Sequence, residues 1–202
     1  MKKLIIIGAS GHGKVVADLA KKNGYEDISF LDDNESLTEC GGYPVLGASN
    51  QYPDFDCDMV IAIGNAAIRR DFQEKLEYSG KSIATLVHPN AVVGENVSIG
   101  EGTVIMAGAV INPCSVIGKG CIINTCASVD HDCTVEDYVH ISVGAHLAGT
   151  VHVGQAAWIG IGAVISNNID IAANCVIGAG AAVVRNIEEK GTYAGVPARK
   201  IK

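Results

Sequence analysis

With 202 residues the chain can hold one medium domain or two small ones, and a composition of 48% hydrophobic but only 5% aromatic residues demands a core of aliphatic and small side chains, unlike an ordinary helical bundle. The net charge of -7, the pI near 5.3 and the lack of any basic run exclude the electrostatic footprint of a nucleic-acid or anionic-membrane binder, so small-molecule partners are expected. The 24 glycines show no collagen period and read as a turn-rich β architecture; the 7 cysteines, odd in number and without a C-x-x-C pair, read as reduced, buried small residues and not as a disulfide framework or zinc site.

After Met-Lys-Lys the first apolar run stops at Gly8, and no later run reaches membrane length, so no membrane insertion is expected and the cytoplasm is the expected compartment. Residues 1–82 are written as strand, glycine loop, helix and strand, the pattern of a small parallel α/β unit like a truncated Rossmann domain. Strands are expected over 4–7, 28–31 and 59–63, and a second helix over 66–78. Between the first strand and helix lies Gly8-Ala9-Ser10-Gly11-His12-Gly13, taken as loop, after which Val15, Val16, Leu19 and Ala20 have the spacing of one buried face. The loop does not fit the G-x-G-x-x-G fingerprint. Its place still offers backbone amides to a phosphate, with Lys14 adding charge. Asp32 and Asp33 end the second strand, where a carboxylate takes ribose hydroxyls or a base N–H, and Ile63-Gly64-Asn65 ends the next; these are the ligand-binding strand ends of an open α/β sheet. A tight turn alone would account for Gly8 and Gly11, but not for their pairing with Asp32 and Asn65.

From residue 83 to 202 the helical signal gives way to a six-residue period. Val87, Val93, Ile99, Ile105, Ile111, Ile117, Ile123, Val129, Val135, Ile141, Leu147, Val153, Ile159, Ile165, Ile171, Ile177 and Val183 form an unbroken aliphatic series. Two residues before most of them sits a small side chain, such as Ala109, Ser115, Ala127 or Cys133, and glycine often follows, as at Gly94, Gly100, Gly118, Gly154, Gly160 and Gly178. One inward aliphatic residue per short strand, with a turn after it, builds a prism of stacked strands in which three hexads make a coil, for about five to six coils in all.

Six histidines are available, His12, His88, His131, His140, His146 and His152. Three of them, His140, His146 and His152, each precede an inward aliphatic residue at six-residue spacing, so they belong on three successive faces of the prism and cannot meet at one metal ion within a subunit. On external faces they read as solvated or interface residues. His131 differs, because it lies in Asp130-His131-Asp132 at a coil turn. A neighbouring carboxylate sets the ring's tautomer and raises its basicity, as a general base near neutral pH requires.

The run Asn124-Thr125-Cys126-Ala127-Ser128-Val129-Asp130-His131-Asp132-Cys133, followed by Val139-His140-Ile141-Ser142-Val143-Gly144-Ala145, resembles the hexapeptide-repeat sugar acetyltransferases of the sialic acid O-acetyltransferase type. Within that group it is most similar to the N-acetyltransferases of UDP-linked 4-amino sugars, and the likeness spans nearly the whole chain, including the Gly-Ala-Ser-Gly-His-Gly loop. The resemblance implies a left-handed β-helix, an exception to the right-handed crossover rule. It implies His131 as general base with Asp132 beside it, where the group often has glutamate. Acetyl-CoA is then the co-substrate, held by Asn124, His140, Ser142, Gly149, Gly160, Ile161, Gly178, Pro197 and Arg199. The basic end formed by residues 194–200, with Arg199, Lys200, Lys202 and Arg185, would meet its phosphates. A UDP-amino sugar would lie on Gly8, Ser10, Gly11, His12, Gly13, Asp32, Asp33, Gly64 and Asn65. The implied assembly is a homotrimer with active sites at subunit interfaces, which also covers exposed short strands. No metal is implied.

Acetyl transfer from a thioester to an amine needs a proton acceptor and a donor for the developing oxyanion. His131 supplies the first; the amides of Gly144, Gly149 and Gly160 are candidates for the second. No covalent step on Cys126 or Cys133 is required. Three other readings share the same hexads: O-acetylation of sialic acid or another surface sugar, a non-catalytic nucleotide-sugar-binding scaffold, and a metal-dependent lyase of the γ-carbonic anhydrase kind, which would need three histidines meeting across subunits.

Overall fold

The computed structural model describes residues 1–202, and the chain forms two compact units, Met1–Pro89 and Asn90–Lys202. The division falls a few residues beyond position 82, so that Val87, first of the aliphatic series, is part of the N-terminal unit.

That unit holds β1 (Lys3–Ile7), α1 (Gly11–Lys22), β2 (Asp27–Leu31), the short hairpin β3 (Glu39–Cys40) and β4 (Tyr43–Pro44), a 3-10 turn (Ser49–Asp54), β5 (Asp58–Ile61) and α2 (Ala66–Tyr78). The three long strands run parallel in the order β2-β1-β5. With β1 in the centre, the chain leaves it to one side for β2 and later joins it on the other through β5, which puts the strand ends 7–10, 31–34 and 61–65 along one edge of the sheet. Ile5, Ile7, Leu31, Met59, Ile61, Leu76 and Ile83 form the core on one side.

Two expectations need correction here. Helix α1 begins at Gly11, so Gly11, His12 and Gly13 form its first turn and the loop ends at Ser10, which caps the helix without a side-chain bond. The buried stripe is Gly13, Val16, Ala17, Leu19 and Ala20, whereas Val15 is 46% exposed. At 100° per residue Val15 falls on the same face as Asp18 and Lys22, which pair in solvent at 2.8 Å. Helix α2 is capped by Asn65, whose Oδ1 accepts from Ala67 N–H (3.0 Å) and Ile68 N–H (3.2 Å).

The second unit is a parallel β-helix of two-residue strands. Successive strands, three per coil, contribute to three sheets. The first contains Ser128–Val129 and His146–Leu147, the second Thr134–Val135 and His152–Val153, and the third His140–Ile141 and Trp158–Ile159. Register is set by the eighteen-residue step, as in Ile105↔Ile123↔Ile141↔Ile159↔Ile177. Every member of that ladder is at most 1% exposed, and each contributes roughly 1.5–3 kcal/mol of burial. Inward packing is weaker where the solenoid begins: Val93 is 39% exposed and Ile99 half-buried, because a terminal coil is stacked on one side only.

The turns hold a second period. Every sixth residue from Asn96 to Gly180 has a positive φ, and the position is filled by glycine or by residues such as Cys114, Cys126, Asp132 and Thr150. The glycines that directly follow the inward aliphatics do not share this torsion; they are required by the spacing of the coils. A Cβ on Gly118 would lie 2.6 Å from Asp137 N in the next coil. The cysteines also divide: Cys40, Cys121, Cys133 and Cys175 are buried as expected, but Cys114 and Cys126, on outward turn positions, are exposed. At the C-terminal end Thr192–Ala194 adds parallel to Val176–Ile177, and Arg199–Lys200 folds back antiparallel on it. No helix is long and apolar enough to cross a membrane.

Candidate active site

His131 stands at the corner between the first and second sheets of the β-helix, with a half-exposed side chain. Asp132 reaches it despite being shorter than glutamate: its Oδ2 accepts from His131 Nδ1 at 2.8 Å. A carboxylate can only accept, so Nδ1 carries the proton and Nε2 keeps its lone pair. The Asp132 hydrogen bond is the main cause raising the ring's pKa above 6.5; partial desolvation opposes it, and the charges of Asp130 and Asp132 add to it. The opposite flank is held by Asp130, whose Oδ1 accepts from the His131 backbone N–H at 2.8 Å.

One coil later, Gly149 forms the wall behind the ring. A Cβ there would fall 2.5 Å from His131 Nε2 and 2.6 Å from Cε1, so the imidazole occupies this orientation only because position 149 has no side chain. The three candidate oxyanion amides are not equivalent. Gly144 N–H is donated to Thr125 O (3.0 Å) and Gly160 N–H to Ile177 O (2.8 Å), so both are committed to the coil ladder. Gly149 N–H makes no hydrogen bond within the chain.

A second cluster lies on the third sheet. Asn124 Nδ2 is 3.1 Å from His140 Nε2, the His140 ring stacks on Trp158 (centroids 5.4 Å apart, planes at 14°), and Trp158 Nε1 donates to Ser142 Oγ at 2.6 Å. Asn124, His140 and Ser142 are thus one assembly, completed by Trp158, which sequence reasoning missed. Its signal was present: the sole tryptophan occupies the hexad position of His140 one coil later. Gly160 and Gly178 follow on the same sheet, and Ile161 is exposed at the adjoining turn. This cluster is on a different side of the prism from the His131 corner. The other two histidines of the series are engaged on their own sheets, His146 with Ser128 (2.8 Å) and His152 with Glu136 (2.9 Å).

At the C-terminal end, Val183, Arg185, Tyr193, Arg199 and Lys200 line a cleft of about 220 Å³, and a wider one of about 510 Å³ has Lys190, Thr192, Lys200 and Lys202 on its walls. Lys200 is not a free cation, since it pairs with Glu189 at 2.8 Å. Arg185, Arg199 and Lys202 are exposed, as is Pro197, which follows a cis peptide bond.

In the N-terminal unit the expected residues gather at one sheet edge, but several are occupied by the fold itself. Asp32 accepts from Ala9 N–H (2.7 Å) and Asn34 N–H (2.9 Å), and Asp33 accepts from Ser49 N–H (2.9 Å). The Asn65 carbonyl is the α2 cap described above. Gly8 and Gly13 are needed for packing: a Cβ on Gly8 would sit 2.9 Å from Ile63 Cγ1, and one on Gly13 3.0 Å from Phe30 Cε1. Gly11 and Gly64 have no such reason; neither has a positive φ or a neighbour within 4 Å of an added Cβ. His12 is pushed down to about 4, chiefly by burial and then by the charge of Arg69, so its ring is neutral near pH 7. Its Nε2 is buried without a hydrogen-bond partner. Arg69, 1% exposed, donates through Nη1 to the carbonyls of Ile63 (2.8 Å) and Gly64 (2.9 Å). A buried arginine bracing the third strand end carried no signal in the sequence, where it reads as one more charge on a helix.

Comparison with known proteins agrees with this anatomy. The PglD N-terminal domain family matches residues 3–76, and the bacterial transferase hexapeptide family matches residues 84–113. The UDP-N-acetylbacillosamine N-acetyltransferase of Bacillus subtilis is 40% identical over 113 residues, a stretch that covers 53% of this chain and 52% of that protein, so the match spans about half of each. Among solved structures, the acetyltransferase domain of PglB from Neisseria gonorrhoeae in complex with acetyl coenzyme A superposes with a TM-score of 0.96 at 41% identity, covering 99% of both chains. PerB from Caulobacter crescentus in complex with CoA and GDP-perosamine gives 0.95 at 35% identity, covering 100% of this chain and 98% of that one. The chain therefore belongs to the hexapeptide-repeat sugar acetyltransferases with a PglD-type N-terminal domain.

Proposed function

We propose that the protein transfers an acetyl group from acetyl-CoA to the 4-amino group of a UDP-linked 4-amino-4,6-dideoxy sugar, with His131 as general base. The observation that carries this reading is the corner itself: an exposed imidazole with Nδ1 tied to Asp132 at 2.8 Å, and Nε2 beside a glycine whose amide the coil ladder leaves undonated. The acceptor nitrogen attacks the thioester carbonyl carbon while its proton passes to Nε2. The negative charge on the carbonyl oxygen is met by an amide, for which Gly149 is the candidate. Collapse breaks the C–S bond, and the proton on Nε2 leaves with the coenzyme A thiol.

In this reading Asn124, His140, Ser142 and Trp158 flank the thioester, with Gly160, Ile161, Gly178 and Pro197 along the coenzyme. Arg199, Arg185 and Lys202 meet its phosphates. The nucleotide sugar lies at the strand ends of the N-terminal unit, with Gly8, Ser10, Gly11, His12 and Gly13 toward the diphosphate and Asp32, Asp33, Gly64 and Asn65 around the nucleoside. The unengaged glycines 11 and 64 support a close approach of ligand to backbone there. A neutral His12 donates or accepts a hydrogen bond but adds no charge.

The His131 corner and the His140 cluster occupy different sides of one prism, so a complete site needs two copies of the chain. A homotrimer acting in the cytoplasm, with each site between neighbours, meets that need. Mixing inactive His131→Ala and His140→Ala proteins tests it directly. Reassembled oligomers should regain acetyl-CoA turnover, and failure to do so under conditions that exchange subunits would rule out the shared site. A GDP-linked 4-amino sugar is the second reading, favoured by the full-length likeness to a protein solved with GDP-perosamine. Comparing kcat/KM for UDP- and GDP-linked 4-amino sugars, with free sialic acid as the hydroxyl acceptor, separates these from O-acetylation. No turnover with any of them would leave the nucleotide-sugar-binding scaffold.

A further inference from the structure

We propose that Asn112, one coil before the catalytic turn, is a positioning residue for the reaction: by holding Asp130 it fixes the backbone and the charge environment of His131. This rests on reading His131 as the base.

Register places the two residues one above the other. Ile111 pairs with Val129, and Asn112 N–H donates to Val129 O at 2.9 Å, so the residues after each strand, Asn112 and Asp130, are stacked neighbours. Asn112 Nδ2 donates to Asp130 Oδ1 at 2.7 Å, and the same oxygen accepts from His131 N–H at 2.8 Å. The rest of Asp130 is anchored to the coils on either side, its N–H to Leu147 O at 3.1 Å and its carbonyl by Ser115 Oγ at 2.7 Å. With the backbone pinned, the remaining freedom is in the carboxylate, and the Asn112 amide removes it.

Such bracing matters because His131 is exposed at a corner and its ring has one side-chain hydrogen bond, to Asp132. Asp132 has a positive φ, as the turn requires, and its N–H is donated to Pro113 O at 3.2 Å. The turn is therefore gripped from the preceding coil by the Pro113 carbonyl and by the side chains of Ser115 and Asn112, of which only Asn112 holds the Asp130 carboxylate. The charges acting on the ring are those of Asp132 and Asp130 on its own turn; the preceding turn carries Pro113 and the Cys114 thiol, and the following one Gly149 and Thr150. The Asn112 hydrogen bond is also the largest cause holding the Asp130 carboxyl below its ordinary value.

The test is a mutant cycle read as kinetics against pH. Asn112→Ala should lower kcat by about tenfold, leave both KM values within about twofold, and move the acid limb of kcat/KM to lower pH, since a loosened Asp130 supports the imidazolium less. Asn112→Asp, nearly the same shape, should move that limb to higher pH by adding negative charge, a reversal that mere loss of packing does not produce. In an Asp130→Ala background, Asn112→Ala should have no further effect. Wild-type kcat and an unmoved limb in Asn112→Ala, or effects that multiply in the double variant, would overturn the proposal. If Asn112→Ala does not fold, the His131 titration followed by NMR in Asn112→Asp decides the matter: an upward shift supports the proposal and an unchanged one overturns it. Full turnover by His131→Ala would instead remove the base on which it rests, whatever Asn112 does.

Discussion

The two units each place a histidine in a turn that follows a buried strand, and drive the two imidazoles in opposite directions. In the N-terminal unit His12 enters the first turn of a helix packed on a parallel sheet, so burial and the Arg69 charge keep it neutral. In the β-helix most strands send one aliphatic residue into the core, and the turn that carries His131 lies at the surface. His131 therefore stays in solvent and is governed by the carboxylates of its own turn. A solenoid corner suits proton transfer because its residues cost the core nothing, whereas the α/β unit suits fixed hydrogen bonding because its loops are tied down, as Asp32 and Asp33 are by backbone amides.

The sharpest way to break this contrast is at His131. Replacing it with Asn should lower kcat by about 10² to 10⁴, equivalent to roughly 3–5 kcal/mol of transition-state stabilisation, with no change in the melting curve because the ring is exposed. A comparable loss of stability would show that the corner does serve the core. The complementary change is Ile141→Ala, on the ladder directly beside His140. It should cost about 2–5 kcal/mol by denaturant titration, since Ile141 is 0% exposed and coils above and below cannot collapse into the gap.

The next effect belongs to His12 and has a definite sign. Its unfolded-state pKa is near 6.5 and its folded-state value about 4, so below pH 6.5 the unfolded chain takes up a proton that the folded chain refuses until about pH 4. Stability should fall across that window by up to about 3 kcal/mol, and His12→Gln should flatten the dependence in urea midpoints measured against pH. The smallest effect is expected from Asp132→Asn, which keeps the shape and removes the charge. The His131 pKa, held up mainly by that bond, should drop, moving the acid limb of kcat/KM to lower pH, with a loss of about tenfold at neutral pH. A limb that stays in place would transfer the control of the ring from Asp132 to Asp130.

The amino-acid order alone determined the hexad register, the three faces on which His140, His146 and His152 lie, the three long strands and two helices of the N-terminal half though not the hairpin and 3-10 turn between them, and the tripeptide around His131. These are local periodicities or neighbours in the chain, and a period of 6 or 3.6 is written directly in side-chain type. Tertiary structure decided what depends on stacking at a distance of eighteen residues or on packing between elements. That Gly149 yields space to the imidazole, that Gly144 and Gly160 have spent their amides, that Trp158 lies on His140 and that Asn112 grips Asp130 all follow from which coil rests on which. The exposure of Val15, the half-open Val93 and the burial of Arg69 likewise depend on what the rest of the chain places beside them. A sequence lists donors, acceptors and apolar groups, but only the folded chain settles which of them have already met each other and which remain for a substrate.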